Sequence, residues 1–359
     1  MKQLTIVLIG LLIAMTSCGN KPEEQIEHEM SSGVVLVQNQ SYIEVVLPDG
    51  ESVYFSGYDE EEGLTGYTDD KDSIEVNTAY GTGFFISKSG EIATNNHIVE
   101  NNTSDQDILK AITSELSNAK IEKYANYREA KELYEALLTQ KDDMEFSYLF
   151  GDISDYEYER YVHTLGECKE LMDQYELEYA ALNLTNVNDC EVIRHNEISI
   201  AYNNTHVTST TDFVPCVITK TDDEHDLAII QLKDRQTPDN KFVFEVPNED
   251  PLKTYTWQEQ ITKKVSEDKN SKQYMMSFNL GPILGVTPDC LKAQFNDGHV
   301  SQKTRDRIMY SIPALPGSSG SPVVNRQGQL VAINYAGLNG TQNFNYGIRV
   351  KHLNNLINQ

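Results

Sequence analysis

Three short segments of this chain hold residue types whose chemistry fits together. Gly317-Ser318-Ser319-Gly320-Ser321-Pro322 is a glycine-flanked turn built around serine. A nucleophilic serine needs such a turn, because its hydroxyl must project while nearby backbone N–H groups converge on one point. Those donors hold the oxygen that becomes negative in acyl transfer. Serine by itself is a weak nucleophile and needs a base. Ala93-Thr94-Asn95-Asn96-His97 sets an imidazole at the end of an alternating strand. Asp222-Asp223-Glu224-His225-Asp226 supplies acids directly before the apolar run Leu227 to Ile230. Serine, histidine and aspartate, each at a strand end, make a set that can cleave acyl bonds.

The elements that must place these segments read as short strands. Apolar runs or alternation mark 33–37, 42–46, 52–55 and 81–87, with Pro48-Asp49-Gly50 as a hairpin turn between two of them. The pattern resumes from residue 191, with strands expected at 198–202, 213–219, 227–232, 274–278, 307–312, 321–325 and 329–334. Residues 233–271 are polar and read as loop.

Between the two strand regions the period changes from two to about 3.5. Thr103-Ser104 with Gln106 and Asp107 supplies an N-cap signal, and Ile112, Leu116, Ala119, Ala130, Leu133 and Leu137 recur at three/four spacing. Lys123 and Asn126 interrupt the stripe. Gly151-Asp152 breaks the run, and Ser154 with Glu157 restarts it as a capping box. Tyr158, Tyr161, Leu165, Cys168, Met172, Tyr175, Tyr179 and Leu182 then form a cleaner stripe, which reads as a packing seam. The pattern predicts an antiparallel helical hairpin with helices near 104–149 and 155–183, a coiled-coil-like insertion in an all-β protein.

Charge separates the same regions. The chain of 359 residues has 55 acids against 29 bases, a net charge of −26. Residues 21–80 contribute −13 and residues 103–187 contribute −11, so the remainder is nearly neutral. This acidity excludes a phosphate-backbone binder, which needs clustered Lys and Arg; no nucleic-acid partner is expected. No apolar stretch beyond the N-terminus is long enough to span a bilayer.

Residues 1–17 have a basic start, an apolar run and small residues before Cys18, the pattern of a secretory signal. With Cys18 at the cut it resembles the bacterial lipoprotein signal, in which this cysteine becomes lipidated. The resemblance implies a lipid-anchored protein of the bacterial cell envelope, at the outer membrane, touching membrane through the anchor alone. Residues 18–32, polar and acidic, read as a solvated tether. In an exported protein Cys168, Cys190, Cys216 and Cys290 are candidates for disulfides, with three pairings open. None lies in a CxxC or a Cys/His cluster, so neither a metal nor a cofactor is expected. His225 reads as a solvated neighbour of Asp226.

The blocks GTGFFIS with TNNHIV, DEHDLAIIQL and PGSSGSPVVN resemble the trypsin-like serine peptidases of HtrA type. The resemblance covers about 33–100 and 191–357. It implies a mainly β fold, two six-stranded antiparallel chymotrypsin-like β-barrels, here with an inserted long α-helical hairpin. The first barrel is expected from 33–102 and 188–235, the hairpin from 103–187 and the second barrel from 236–359. No PDZ pattern follows residues 346–350, so the processivity and peptide-triggered activation of HtrA enzymes are not implied. His97 and Asp226 lie 129 residues apart, and subtracting the 85-residue helical block leaves 44, a comfortable loop-and-strand distance.

Carried over residue by residue, the resemblance makes Ser319 the nucleophile, His97 the general base and Asp226 its orienting acid. Asp222, Asp223 and Glu224 compete for that last role; Asp226 is preferred because it directly precedes Leu227. Gly317 and Ser319 N–H groups would form the oxyanion hole. Tyr335, Ala336 and Gly337 would pair with substrate backbone, and Pro313, Ala314 and Leu315 would border the first specificity pocket. No acid lies there, which favours small or medium apolar residues before the cut bond. Ser321 stands where many relatives have glycine. The partner is a protein or peptide substrate. The hairpin, leaving the chain just after His97, could gate the cleft, bind a protein partner or self-associate through 104–183. A catalytically silent binding protein on the same fold is the other reading.

Overall fold

The computed structural model describes residues 20–59, 61, 63–100, 103–209, 212–252, 272–337 and 344–359. Helix α1 (Glu23–Gly33) leads into the long strand β1 (Val34–Val46). Strands β2 (Ser52–Phe55), β3 (Gly57–Asp59), β4 (Gly63–Thr65), β5 (Asn77–Phe85) and β6 (Glu91–Thr94) follow, then the single turn α2 (Asn96–Val99). Helices α3 (Asp105–Thr139), α4 (Lys141–Leu149) and α5 (Asp155–Leu184) come next. The chain returns to strands with β7 (Glu191–Tyr202), β8 (Val214–Asp222), β9 (Leu227–Leu232) and β10 (Lys272–Ser277). After α6 (Pro282–Gly285) come β11 (Gln294–Lys303), β12 (Arg307–Tyr310), β13 (Pro322–Asn325), β14 (Leu330–Gly337) and β15 (Asn345–Arg349), and helix α7 (Val350–Ile357) closes the chain.

These elements form two compact units. One gathers the described residues of Met1–Ser41, Asn77–Asn102 and Asn196–Gln359; the other holds those of Tyr42–Val76 and Thr103–His195. The division falls inside β1, so residues 42–76 belong with the helical insertion rather than with the first barrel.

In the first unit, six strands close in the order β1-β5-β6-β9-β8-β7, sealed by a β1–β7 pairing, and six more close as β10-β11-β12-β15-β14-β13. This is the expected chymotrypsin-like pair of antiparallel barrels. Alternation explains each interior. Val35 and Val37 of β1 point into the first barrel with Phe85, Ile92, Ile200 and Ile230, while Val34 and Leu36 face the other way. Both faces of β1 are fully buried over Val34 to Val37, which is why these residues read as a continuous apolar run. The second interior holds Met275, Val300, Ile308, Tyr310, Val323 and Val331. A third cluster joins outward-facing residues of both barrels with Ile26 and Met30 of α1 and Val350, Leu353 and Leu356 of α7.

Helix α1 corrects the expected tether at 18–32. Ile26 and Met30 are 1% and 2% exposed, and burying each contributes roughly 1.5–3 kcal/mol. Glu23 accepts from Lys272 (2.8 Å) and Tyr274 (3.3 Å) of β10, and Lys21 N–H donates to Arg326 O (2.9 Å). The helix therefore packs on the second barrel. Cys18 and the leader lie outside the described residues, as do 253–271 of the expected loop. The four cysteines expected as disulfide candidates are all free thiols. Burial pushes the Cys216 thiol, inside the first barrel, up to about 12. Strand β11 was not expected, because Gln294 to Lys303 is mostly polar and buries just Gly298 and Val300.

In the second unit, Ile43, Val45, Phe55 and Ile108 form a small core. The hairpin forms as expected except that its first arm breaks at Gln140 into α3 and α4. Ser104 caps α3, and the Ser154–Glu157 capping box of α5 is complete. Along the seam Ala130, Tyr161 and Cys168 are buried, Tyr161 OH donates to Leu137 O (2.8 Å), and Lys123 reaches Glu178 (2.6 Å). Lys123, read as a break in the stripe, is thus a cross-link between the two arms.

Candidate active site

Strand β6 ends at Thr94, and α2 carries His97 away from the first barrel with its side chain 43% exposed. Asp226 ends the turn directly before β9, the strand that pairs with β6. Its carboxylate takes two bonds from one residue: His97 N–H donates to Oδ1 (2.9 Å), and His97 Nδ1 lies 2.7 Å from Oδ2. A carboxylate against Nδ1 keeps the proton there and leaves Nε2 free to act as a base. Asp226 adopts φ +52°, in the left-handed region that costs a non-glycine residue roughly 1–2 kcal/mol. Asn95 Nδ2 helps to hold it there by donating to Asp226 O (2.8 Å).

The competing acids have other partners. Asp222 accepts from the backbone N–H of His225 (3.1 Å) and lies 2.9 Å from its Nδ1, and Asp223 accepts from Asn96 Nδ2 (2.6 Å). Glu224 lines a separate cavity. Of the four acids, Asp226 is the one hydrogen-bonded to His97. His225, expected to be a solvated neighbour, is partly buried and stacks on His352 with ring centroids 3.7 Å apart.

Ser319 sits in the segment between β12 and β13. Ser318 N–H donates to Leu315 O (2.9 Å), closing a four-residue turn with Pro316 second and Gly317 third at φ +91°. That is a type II turn, which requires a positive φ at its third position. A Cβ on Gly317 would also lie 2.4 Å from Phe278 O. Leu280 N–H donates to Pro316 O (2.6 Å). Because the 316–317 peptide is planar and trans, its N–H points opposite to its carbonyl. Pinning Pro316 O therefore turns the Gly317 N–H outward, on the side away from Leu280.

Every residue of this turn is tied to another segment. Asn279 Oδ1 accepts from Leu315 N–H (2.9 Å). Thr82 of β5 donates its hydroxyl to Gly317 O (2.9 Å) and its N–H to Ser319 O (2.8 Å). Asn334 of β14 donates Nδ2 to Ser318 O (3.0 Å) and to Ser318 Oγ (3.1 Å), while its Oδ1 accepts from Tyr310 OH (2.7 Å). Gly320 N–H donates to Asn334 O (2.8 Å). Tyr310 is fully buried, and burial pushes its phenol well above the ordinary tyrosine range. Ser321 is fully buried as well, and its hydroxyl has no partner among the described residues.

Thr82, Asn279, Asn334 and Tyr310 were not anticipated as site residues. Thr82 lies within the block GTGFFIS, so a signal was present without a role. Thr82 joins the two barrels at the Ser319 turn, which sets where Ser319 stands relative to His97. Ser319 Oγ itself donates to Tyr335 O over a long 3.3 Å, and among the described residues no hydrogen bond joins it to His97. Catalytic hydrogen bonds are commonly long or misaligned until substrate is bound. Tyr335 lies on β14 with Ala336 and Gly337, under the Arg307 guanidinium, 4.8 Å from its ring. Ala314 packs against the second interior, while Pro313 and Leu315 are exposed.

A family model described as the trypsin-like peptidase domain matches residues 182–333, less than half of the chain. The match includes Asp226 and Ser319. It starts near the end of the helical insertion, so His97 lies outside it. No curated protein matches the sequence. Among solved structures the chain is similar to a serine endoprotease from Yersinia pestis, with 11% identity and a TM-score of 0.43 over 95% of this chain. The similarity covers 66% of that protein, just under two thirds of its length.

Proposed function

We propose that this protein is a serine endopeptidase, hydrolysing peptide bonds through an acyl-enzyme. The observation that carries the reading is the pair of hydrogen bonds between His97 and the Asp226 carboxylate, in the unit that also holds a clamped, glycine-flanked Ser319. Peptide substrate would add to β14 at Tyr335, Ala336 and Gly337 as an extra strand. With substrate in place, Ser319 Oγ turns from Tyr335 O to His97 Nε2. His97 takes the hydroxyl proton as Oγ attacks the carbonyl carbon, and Asp226 stabilises the imidazolium. The Gly317 and Ser319 N–H groups receive the developing oxyanion. His97 then returns the proton to the leaving amine, and water repeats the sequence to release the acid.

The chemistry uses no cofactor. Preference before the cut bond falls on small or medium apolar side chains: Pro313, Ala314 and Leu315 supply no acid, and Arg307 over Tyr335 repels cationic side chains. Lipidation of Cys18 would hold the enzyme at the outer membrane of the cell envelope. A quenched-fluorescent peptide library tests the whole reading. Cleavage abolished by Ser319→Ala and concentrated after Ala, Val or Leu is expected; a profile dominated by Arg or Lys would refute the pocket assignment.

The position of the Ser319 hydroxyl, on Tyr335 O rather than on His97, supports the second reading of a silent or latent peptidase fold. In that case the hairpin would be the working part, binding a protein partner or a second copy. Replacing residues 104–185 by a short linker separates the two. An enzyme keeps cleaving small peptides, whereas an interaction protein loses its binding partner and had no cleavage to lose.

A further inference from the structure

The turn between β8 and β9 brings together a second set of chemistry-bearing groups beside the catalytic candidates. His225 is held in one tautomer by Asp222, whose Oδ2 lies 2.9 Å from Nδ1. That contact leaves Nε2 with a free lone pair. His352, in the first turn of α7, stacks on the same ring at 3.7 Å with 23° between the planes. Its Nε2 lies 3.0 Å from Asp306 Oδ1, in the turn between β11 and β12. One ligand atom from each of His225, Asp306 and His352 lies within 4.8 Å of the other two. His225 and Asp306 also line a cavity of about 240 Å³, with Glu224 on its wall.

Two imidazoles and a carboxylate at this separation are the donor set of borderline cations such as Zn²⁺; hard cations such as Ca²⁺ take oxygen donors almost alone. Asp222 behind His225 is the carboxylate that commonly supports a metal-bound histidine. Lys351 lies 3.0 Å from Asp306 Oδ1, and Arg307 lines the cavity. Against these two cations stand Asp222, Glu224 and Asp306, so the surroundings keep a net negative charge. Asp306 has a second oxygen to offer while Lys351 holds the first.

We propose that His225, Asp306 and His352 form a binding site for a zinc-class divalent cation. The cation fastens the turn that presents Asp226 to the second barrel and to the C-terminal helix. With Asp222 kept on Nδ1, His225 offers Nε2, and His352 offers Nε2 with its proton then on Nδ1; small side-chain adjustments draw the three donor atoms together from within 4.8 Å. Glu224 or a water completes a tetrahedral set. No short ligand spacing announces the site, since 127 residues separate the two histidines. The site requires no peptidase activity, so it can be tested whether or not Ser319 is reactive.

The test uses the untagged full chain, titrated with ZnCl₂ by calorimetry and with CoCl₂ by absorption. One saturable equivalent is expected, with visible ligand-field bands of Co²⁺ and no thiolate charge-transfer band. His225→Asn and His352→Gln should abolish the equivalent, with the fold checked by circular dichroism. Asp222→Asn should weaken it about tenfold or more. His352 is buried and its variant could fail to fold; His225 is partly exposed, so its variant decides. Absence of saturable binding to the wild type, a thiolate band, or unchanged affinity in a folded His225→Asn would overturn the proposal.

Discussion

Around Ser319, six successive residues from Leu315 to Gly320 are each hydrogen-bonded to Thr82, Asn279, Leu280 or Asn334. Along the hairpin of α3 and α5, by contrast, most side chains face solvent, and Leu133, Leu177 and Leu184 are more than half exposed. The two regions solve different problems. The turn is fixed by buried polar bonds from both barrels, as a proposed nucleophile with oxyanion donors would have to be, held to a fraction of an ångström. A hairpin needs just a continuous seam and two good caps, and tolerates exposed apolar residues elsewhere. Substitutions in the turn should therefore cost activity far beyond their cost in stability, whereas substitutions in the hairpin should cost a little local stability and no peptide cleavage.

The largest expected effect tests the assignment of the acid. Asp226→Asn leaves the shape intact but favours the wrong tautomer of His97, and kcat should fall about 10⁴-fold. Asp223→Asn, whose partner is Asn96, should change kcat less than about tenfold by the same reasoning. Equal losses would mean that the orienting acid is misassigned.

Next comes Gly317→Ala. With φ +91° and no space for a Cβ, the alanine must tip the 316–317 peptide and misplace the Gly317 N–H. Loss of one such donor costs about 10²–10³ in kcat. Steady-state kinetics on a folded variant would show it; a variant of normal kcat would remove Gly317 from the oxyanion site.

Asn334→Ala should weaken stability and activity together. It removes the donor to buried Ser318 Oγ and the 2.7 Å acceptor of Tyr310 OH, which keeps just a long 3.3 Å bond to Tyr346 O, at about 1–3 kcal/mol for the polar groups left under-satisfied. Urea unfolding would measure this loss, and Asn334→Ala as stable as wild type would contradict the buried-clamp account. The smallest effect is expected for Ser154→Ala, which removes the capping box of α5 and costs about 1 kcal/mol. Hydrogen exchange should quicken in the first turns of α5 while cleavage of small peptides stays unchanged. A fall in kcat would show that the hairpin and the cleft are coupled.

The same contrast explains what the sequence made legible. The hairpin followed from side-chain periodicity and from Ser154 with Glu157, which are local signals. His97, Asp226 and Ser319 could be singled out because each sits in a short connecting segment with a distinctive neighbourhood. The clamp was not: Thr82, Asn279, Asn334 and Tyr310 act through side-chain bonds to residues 16 to 235 positions away, and apart from Thr82, inside the block GTGFFIS, nothing in their own neighbourhoods distinguishes them. Helix α1 was hidden by its acidic composition, although Ile26 and Met30 at i, i+4 were the available signal. The break at Gln140 has no glycine or proline to mark it. Strand β11 was missed because a polar, half-exposed strand carries little apolar alternation.

Everything proposed for the site depends on Ser319 being a nucleophile activated by His97, and a fluorophosphonate probe measures that directly. The account predicts covalent labelling of the folded wild-type chain at Ser319, lost in Ser319→Ala and in His97→Ala and retained in Ser318→Ala. Folded wild type that stays unlabelled, or a label that persists in Ser319→Ala, would contradict it.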